Sequence, residues 1–439
     1  MATTSPTASA RPGLMALEEA LQRLLADVTP VAEVERVPTQ SAAGRVLAEP
    51  VVSALDVPGF DNSQMDGYAV RCAEVQDAVA AGRPLPVALR IQAGHGSAAL
   101  PPGAVARIFT GAPLPDGADA VVMQEDAAPA EAPPDADAAL APHGWVRLTV
   151  VPVPGQWVRR RGEDVHVGAV VLPAGRRLRP ADLGLVASIG VAELTVRRRL
   201  RVALAATGDE LIRPGERPPE GLPPGAIFES NRYFLEPLLQ RLGCDVTVLS
   251  RIPDDREATR SALASAALAH DVIVTTGGVS VGEEDHVKPV VQALGGLDLW
   301  QIAMKPGKPF AQGWIDRAPL GGQGRCHVLG LPGNPVSSFV TFLLLARAFL
   351  LRLSGVDVAP ALPLALPLVA HFDVPHPDKR REFLRVRRNA QGGLDLFPNQ
   401  NSSVLTSMVW ADGLVDKPAG AVIRRGDVVA YLPLAEWWD

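Results

Sequence analysis

The spacing of apolar residues changes along the chain, and each change predicts a different kind of element. Over residues 14–28, leucines recur every three or four positions and form one stripe, which predicts an amphipathic helix. Residues 68–150 instead carry short alternating runs separated by glycine and proline, which predict a small β domain. Within this region residues 126–144 are rich in alanine, proline and aspartate, so we expect an exposed loop there.

From residue 200 to residue 353, short apolar runs alternate with helical patterns. The predicted strands of this region are 200–207, 244–250, 271–276, 299–304 and 326–331. Such alternation predicts an α/β domain with a mostly parallel sheet, because parallel neighbours need a helical crossover between them. Residues 360–439 return to short runs and turns, which predict a small β-barrel or sandwich.

Composition limits the class of protein. The chain has 439 residues, of which 47% are hydrophobic and 21% charged, and this predicts a soluble globular protein of about three domains. The net charge of −6 argues against a general nucleic-acid binder. The three cysteines form no CxxC pair, so we expect neither a disulfide framework nor a cysteine zinc site.

The sequence shows no targeting or membrane signal. Residues 1–13 are small and polar without an apolar stretch, which predicts a disordered terminus. The longest apolar run, residues 339–353, contains two arginines and is too short to cross a bilayer, so we expect a buried helix. We therefore expect a cytoplasmic protein that binds neither nucleic acid nor membranes.

Each predicted strand of the α/β domain is followed by a loop that carries glycine, a carboxylate or a lysine. These loops are TGDEL (207–211), IPDD (252–255), TTGGVSVGEEDH (275–286), KPGKP (305–309) and LPGNPVSS (331–338). Ligands of open α/β sheets bind beyond the carboxyl ends of the strands, so we expect the loops to form one site. Glycines let backbone N–H groups approach an anion, and the lysines supply positive charge.

The acidic residues of these loops suggest a cation as well. Asp209, Glu210, Asp254 and Asp285 offer hard oxygen ligands, which suit Mg²⁺, and a carboxylate-bound Mg²⁺ beside phosphate is typical of phosphoanhydride chemistry. Taken singly, each loop is better explained as a turn or a helix cap than as a binding site. The coincidence of five such loops at one predicted sheet edge favours a binding site.

Three charged segments outside these loops have either an ordinary surface role or a role in ligand binding. Asp61 and Asp66, in DNSQMDG, are typical turn formers, and RRRGED (159–164) is typical of a surface ion-pair cluster. DKRREFLRVRR (378–388) forms either a solvated face or a contact with an anionic ligand, with Arg381, Arg385 and Arg387 on one side of a strand.

Seven motifs, in their order along the chain, resemble the MoeA family of molybdopterin molybdenumtransferases, to which the E domain of gephyrin is similar. The motifs are DVPGFDNSQMDGYAV, RIFTGAPLP, GQWVRRRGEDV, ATGDEL, TTGGVSVGEEDH, MKPGKPF and LPGNPVS. The resemblance implies that adenylylated molybdopterin and molybdate are the substrates, that AMP is released and that molybdenum is inserted, with Mg²⁺ as a cofactor. It also implies a homodimer, and it makes the molybdopterin adenylyltransferase and molybdoenzyme chaperones candidate partners.

The resemblance also implies an architecture of four subdomains. An elongated N-terminal domain would comprise residues 14–55 and 155–197, with a β domain inserted at 56–154. A molybdopterin-binding α/β domain would follow at 198–355, with a C-terminal β-barrel at 360–439.

Site residues follow from the resemblance by position in the motifs. It implies catalytic roles for Asp61, Glu210, Asp254 and Asp285, with Glu210 and Asp285 as metal ligands. The implied molybdate ligands are Lys305, Lys308, Arg381 and Ser402. The implied molybdopterin-AMP ligands are Thr110, Arg159, Asp164, Thr207, Gly208, Gly277, Gly278, Ser280, Pro332, Gly333, Asn334 and Pro335.

Four of these residues, Asp61, Thr110, Arg159 and Asp164, are expected to reach the site from a partner subunit. The chain departs from the family pattern at Gln301, where many members have a basic residue, and at Asn401, where glycine is usual. Two other functions remain as alternatives: a molybdopterin adenylyltransferase, which needs only the α/β unit, and a non-catalytic scaffold of the gephyrin type.

Overall fold

The computed structural model describes residues 14–96, 98–134, 136–278, 286–358 and 362–438. The predictions for Ser280, Asp285 and the N-terminal residues 1–13 lie outside these ranges. The described residues form four groups of strands and helices, and the site lies between the last two.

Two separate segments pair with each other to form the first group. The paired antiparallel strands are Val34–Pro38 with Glu193–Arg197, Val51–Val52 with Val170–Leu172, and Asn62–Ser63 with Val158–Arg159. The helix Pro180–Ser188 begins with proline at its first position, and the Asp182 carboxylate accepts a hydrogen bond from the Arg179 amide. Leu47, Leu172 and Val196 form part of the core beneath these strands.

Between these segments lies a six-stranded sheet, which we call the inserted sheet. Its strands, in spatial order, are Ala120–Met123, Gly67–Val70, Val105–Ile108, Leu85–Ile91, Trp145–Leu148 and Ala127–Ala130. The strand Ala127–Ala130 pairs with Trp145–Leu148 and corrects the prediction of a loop throughout 126–144. The helix Cys72–Ala80, which the sequence pattern did not reveal, buries Val75 and Ala78 in the core of the inserted sheet.

The third group contains the central sheet, which has six strands. In spatial order they are Asp245–Val248, Arg201–Ala206, Val272–Thr276, Arg325–Leu331, Pro309–Asp316 and Gly295–Gln301. The first four strands run parallel, as expected for strands joined by helices. Pro309–Asp316 pairs antiparallel with both of its neighbours, Arg325–Leu331 and Gly295–Gln301. The sequence pattern missed Pro309–Asp316, which makes KPGKP the turn of a hairpin. A short parallel pair, Leu211–Ile212 with Ile227–Phe228, lies apart from this sheet.

Helices cover the central sheet. They are Asn231–Arg241, Arg256–Ala269, Val287–Leu294 and the apolar helix Pro335–Leu353, which contains a π-helical turn at Phe342–Ala346. By length and composition the apolar helix could cross a membrane, but 89% of its most apolar window is buried inside the protein. This agrees with the expectation of a buried core helix.

The N-terminal helix Leu17–Ala26 joins the same core. Its leucines at 17, 21 and 24 are buried with Leu350 and Leu353 of the apolar helix. This helix lies in the segment expected for the elongated domain, residues 14–55, and it packs on the core of the α/β domain. The reason is that its leucine stripe needs an apolar partner, and the C-terminal end of the apolar helix provides one.

The fourth group is the C-terminal sheet, in which one strand comes from the α/β domain. Its strands, in order, are Met304–Lys305, Arg381–Arg388, Gly413–Lys417, Val428–Pro433 and Leu366–Val369, with Leu394–Leu396 beside Arg381–Arg388 and the helix Thr406–Trp410 nearby. In the described part of the chain, a single bridge between Ala370 and Leu394 links the two ends. The prediction of a closed barrel is therefore not confirmed, because no continuous ladder joins the ends among these residues.

Candidate anion-binding site

A cavity of about 470 Å³ lies at the carboxyl edge of the central sheet, where it meets the C-terminal sheet. Three of the five predicted loops line it, and a C-terminal loop closes it. The lining residues are Gly277, Gly278, Lys305, Pro306, Gly307, Lys308, Pro309, Pro332, Gly333, Asn334, Ser337, Arg380, Gln400, Asn401 and Ser402. The structure thus brings together eight of the residues assigned from the resemblance, and it adds others.

The KPGKP turn reaches the cavity because it packs on the apolar helix. Gly307 has φ +94°, and a Cβ atom there would lie 3.2 Å from the carbonyl oxygen of Ser337 and closer still to the hydroxyl of Thr341. Only glycine permits this backbone to approach the helix so closely. The turn is closed by a hydrogen bond of 2.8 Å from the Ile302 amide to the Lys308 carbonyl. Lys305 and Lys308 therefore lie beside the start of the apolar helix.

The N-terminus of the apolar helix forms the floor of the cavity. Pro335 occupies the first helical position, and the Val336 amide donates to the Ser402 carbonyl at 2.9 Å. The Asn231 side-chain amide donates to the Gly333 carbonyl at 2.7 Å and holds the preceding turn. A helix N-terminus carries partial positive charge, so this floor favours an anion.

The glycine pair after the Val272–Thr276 strand forms another wall. Gly277 and Gly278 have φ values of +81° and +68°, and a Cβ atom on Gly278 would lie 2.5 Å from Val287 Cγ2 and 3.0 Å from Thr207 Oγ1. A side chain at Gly278 would collide with Val287, and the positive φ values disfavour any residue but glycine at both positions. Thr207 therefore lies directly behind the glycine pair, as expected for a loop at the end of the neighbouring strand.

The cations of the cavity differ in how they are neutralised. Lys305 Nζ lies 2.8 Å from Glu382 Oε1 and 3.3 Å from Asp378 Oδ2, and its hydrogen bond to Glu382 is the main reason that the Lys305 pKa is raised. Lys308 is exposed and has no ion-pair partner among the residues that the structure describes. Lys308 can therefore meet a ligand without breaking an ion pair.

Arg380 is the arginine of the cavity, and it was missed from the sequence. Its backbone amide donates to Asp378 Oδ1 at 2.9 Å, and its Nε lies 3.3 Å from the same oxygen. Burial alone would raise the pKa of Asp378, but the hydrogen bonds from Arg380 and Lys305 lower it to about 2. Asp378 is therefore a carboxylate at neutral pH.

Arg381, which the resemblance favoured as a molybdate ligand, points elsewhere. Its Nε donates to Asp416 Oδ1 at 2.6 Å, and its Nη1 contacts Glu18 of the N-terminal helix. Successive side chains along an extended chain point to opposite sides, so only one of two adjacent arginines can face the cavity. Arg380 and Arg381 are the two arginines of RREF, and the sequence alone does not indicate which of them faces the cavity.

Arg385, which the strand pattern placed on the Arg381 face, is buried beneath the C-terminal loop. Its guanidinium contacts the Ser407 hydroxyl and the carbonyls of Phe383 and Asn401, at 3.2–3.4 Å. Burial lowers the pKa of Arg385 to about 10, so the group remains charged at neutral pH. This buried charge supports the loop that carries Ser402.

The acidic residues of the first two loops lie next to each other at the same sheet edge. Thr207 and Ile252 form a bridge, and the Asp209 amide donates to Asp254 Oδ2 at 3.1 Å. Gly208 has φ +132°, and the Glu210 carboxylate lies over it, where a Cβ atom would collide. Neither Glu210 nor Asp254 lines the cavity itself.

The fit of these carboxylates to Mg²⁺ is limited. No group of three or more His, Cys, Asp or Glu side chains that could hold a metal ion occurs in the described part of the chain. Mg²⁺ often needs only one or two carboxylates, because it keeps its waters and binds substrate phosphates. Glu210 and Asp254 fit such a substrate-completed site, and Asp285 lies outside the described residues.

The N-terminal site residues form a separate cluster. Asp61 Oδ2 pairs with Arg160 Nη1 at 2.6 Å, and Asp66 Oδ1 accepts from both the amide and the hydroxyl of Thr110 at 2.8 Å. The hydrogen bonds from Thr110 lower the pKa of Asp66. The sequence did not single out Arg160, the ion-pair partner of Asp61.

Arg159 and Asp164 belong to the same cluster and are exposed. Arg159 pairs with Asn62 across two short strands, and the Asp164 amide donates to the Val57 carbonyl. Every contact of the cluster named here is made within residues 57–167, and none of its members lines the cavity. Within one chain the cluster therefore contributes no residue to the lining of the cavity.

Fold and site together define a class of protein: a multidomain α/β protein with a cavity at the carboxyl edge of its sheet, lined by groups that suit an anion. Comparison with known proteins agrees. The MoeA N-terminal region (domains I and II) matches residues 15–190, a probable molybdopterin binding domain matches 203–352, and the MoeA C-terminal region (domain IV) matches 367–434. The chain belongs to the MoeA family, whose members include the molybdopterin molybdenumtransferases.

Individual relatives cover most of the chain. The molybdopterin molybdenumtransferase of Haemophilus influenzae is 38% identical over 343 residues, which is 78% of each chain. That of Synechococcus elongatus is 35% identical over 416 residues, covering 93% of this chain and 96% of the relative. The crystal structure of a molybdopterin biosynthesis MoeA protein from Pyrococcus horikoshii superposes with a TM-score of 0.78 at 27% identity, covering 96% of this chain and all of the other.

Proposed function

We propose that this chain inserts molybdenum from molybdate into adenylylated molybdopterin and releases AMP. Family membership supports the reaction class, since the relatives named above are molybdopterin molybdenumtransferases. The observation that carries the proposal for this chain is the cavity, which combines a helix N-terminus, a glycine pair and convergent cations. A tetrahedral dianion withdrawn from water needs such donors on its oxygens.

Each part of the cavity has a role in this proposal. Lys305, Lys308 and Arg380 bind the molybdate oxygens, and Ser402 adds a neutral donor from the C-terminal loop. The glycine pair and the helix N-terminus bind a phosphate of the pterin substrate through backbone N–H groups. Both anions would then lie at one sheet edge, which brings the metal oxyanion close to the pterin.

We propose Mg²⁺ as the cofactor, with Glu210 and Asp285 as its protein ligands. The ion would neutralise charge on the phosphoanhydride that is cleaved. In the described residues Asp254 holds the Asp209 amide, and this contact orders the loop that presents Glu210. We expect the protein to act in the cytoplasm and to receive its pterin substrate from the molybdopterin adenylyltransferase.

AMP release from adenylylated molybdopterin, measured with and without molybdate, tests the reaction. We expect molybdate to stimulate release and Lys308→Ala to raise the half-saturating molybdate concentration at least tenfold, about 1.4 kcal/mol. Lys379→Ala is the matched control, because Lys379 is an exposed lysine of the same region that does not line the cavity. AMP release that molybdate leaves unchanged would contradict the proposal.

We further propose that the working unit is a homodimer in which the Asp61–Thr110 cluster of one chain faces the cavity of the other. The cluster contributes no residue to the cavity lining of its own chain, and this supports the arrangement. Mixing Asp61→Ala with Asp285→Asn protein, each expected to be inactive alone, should restore about a quarter of wild-type activity, because random twofold pairing rebuilds one site in half of the dimers. A fully active monomer in sedimentation would refute the shared site.

A further inference from the structure

Two carboxylates contact the cations of the cavity, and they are held very differently. Glu382 lies within the C-terminal sheet, directly between Lys305 on one neighbouring strand and Lys417 on the other. Its Oε1 lies 2.8 Å from Lys305 Nζ and its Oε2 lies 2.6 Å from Lys417 Nζ. The Lys417 side chain is completely buried, so Glu382 is needed as the partner of a charge that water cannot reach.

Asp378 is the second carboxylate, and it lies before the strand rather than within it. Its side chain is 23% exposed, and its oxygens lie 3.3 Å from Lys305 Nζ and 3.3 and 3.5 Å from the Nε and Nη2 atoms of Arg380. Charge-assisted hydrogen bonds are usually about 2.7–2.9 Å long, so these contacts are loose. The closest contact of the Asp378 carboxylate is with the Arg380 backbone amide, at 2.9 Å.

An oxyanion in the cavity requires the same donors. A carboxylate presents two oxygens to Lys305 and Arg380, much as one edge of a tetrahedral oxyanion does, and the two anions repel each other. If Glu382 moved away, the buried Lys417 ammonium would lose its ion-pair partner. Asp378 has no such buried partner, because both of its cations are partly exposed. Of these two carboxylates, only Asp378 can be displaced without leaving a buried charge unpaired.

We propose that Asp378 is an internal competitor for the oxyanion: it neutralises Lys305 and Arg380 when the cavity is empty and is displaced when the oxyanion binds. Asp378 thereby sets the affinity of the site below the value that its cations alone would give. This inference rests on the proposed function, because it takes molybdate as the oxyanion of the cavity. It predicts that removing the negative charge of Asp378 strengthens molybdate binding. Removing a residue that itself binds molybdate would weaken binding.

Calorimetric titration of the full-length protein with sodium molybdate tests the inference. Asp378→Asn keeps an oxygen for the Arg380 amide while it removes the negative charge, and we expect its Kd for molybdate to fall about tenfold. Asp416→Asn is the matched control, since Asp416 pairs with the neighbouring Arg381 outside the cavity lining. Its Kd should stay within about twofold of the wild-type value, a difference of less than 0.5 kcal/mol.

The outcomes separate this inference from the proposed function. If wild-type protein binds molybdate and folded Asp378→Asn binds it equally or more weakly, Asp378 positions the cations and does not compete. If Asp416→Asn strengthens binding as much as Asp378→Asn does, the effect is a general change of charge, and the specific competition is wrong. If neither the wild-type protein nor Asp378→Asn binds molybdate, the molybdate site of the proposed function fails as well.

Discussion

Replacing Arg380 and Arg381 separately by alanine is the sharpest test of the site, because the two residues are adjacent and chemically identical. Arg380 lines the cavity, whereas Arg381 binds Asp416 on the neighbouring strand. We expect Arg380→Ala to impair molybdate use and Arg381→Ala to impair stability. The sequence-based expectation, which favoured Arg381 as the ligand, predicts the reverse.

The magnitudes follow from the contacts that each guanidinium loses. Arg380→Ala removes at least one charged hydrogen bond to the oxyanion, about 1.5–3 kcal/mol, so the half-saturating molybdate concentration should rise about 10- to 150-fold. Arg381→Ala removes hydrogen bonds of 2.6 and 2.5 Å to Asp416, whose side chain is only 14% exposed. Leaving this carboxylate unpaired should cost about 1–3 kcal/mol of folding free energy.

Molybdate-dependent AMP release and thermal unfolding are measured for both variants. Lysine substitutions serve as controls, since Arg380→Lys keeps the charge but loses the planar fork of donors and should have an intermediate effect. If Arg381→Ala raised the half-saturating molybdate concentration while Arg380→Ala did not, the assignment of Arg380 rather than Arg381 to the cavity would be wrong. Equal effects of both variants on molybdate use would show that only net charge matters.

Three further predictions concern the same region. Glu382→Gln should lower the free energy of unfolding by about 3–5 kcal/mol, because it leaves buried Lys417 without a counter-charge. In thermal unfolding, the double variant Glu382→Gln with Lys417→Met should recover part of this loss. The pKa of Asp378 falls from 3.8 to about 2 on folding, so the stability that its ion pairs supply is present above pH 3.8 and is lost as the pH falls towards 2. The difference in Tm between wild type and Asp378→Asn should therefore shrink over this range, and a constant difference would contradict the ion pairs. Gly278→Ala places a side chain at φ +68° and against Val287, so we expect the free energy of unfolding to fall by about 1–2 kcal/mol. We also expect weaker binding of the pterin substrate. Wild-type stability together with wild-type substrate binding would exclude a close-packed glycine wall.

The sequence by itself determined the parts that depend on local pattern. Alternating apolar runs identified four of the five predicted strands close to their observed bounds, and the motif order placed the chain in its family. Glycine and lysine loops after successive strands predicted a site at one sheet edge, and the loops with Gly277, Lys308 and Asn334 do line one cavity. These features are readable because parallel strands joined by right-handed crossovers must place their ends together.

Only the tertiary structure decided which side chains enter the cavity. The choice of Arg380 over Arg381 depends on the orientation of one strand, and a shift of one residue would reverse it. The ion pairs of Lys305 with Asp378 and Glu382 join residues more than 70 positions apart, through a strand that the α/β domain contributes to the C-terminal sheet. No local pattern encodes such a pairing, because its register is set by the packing of two domains rather than by the sequence around either residue.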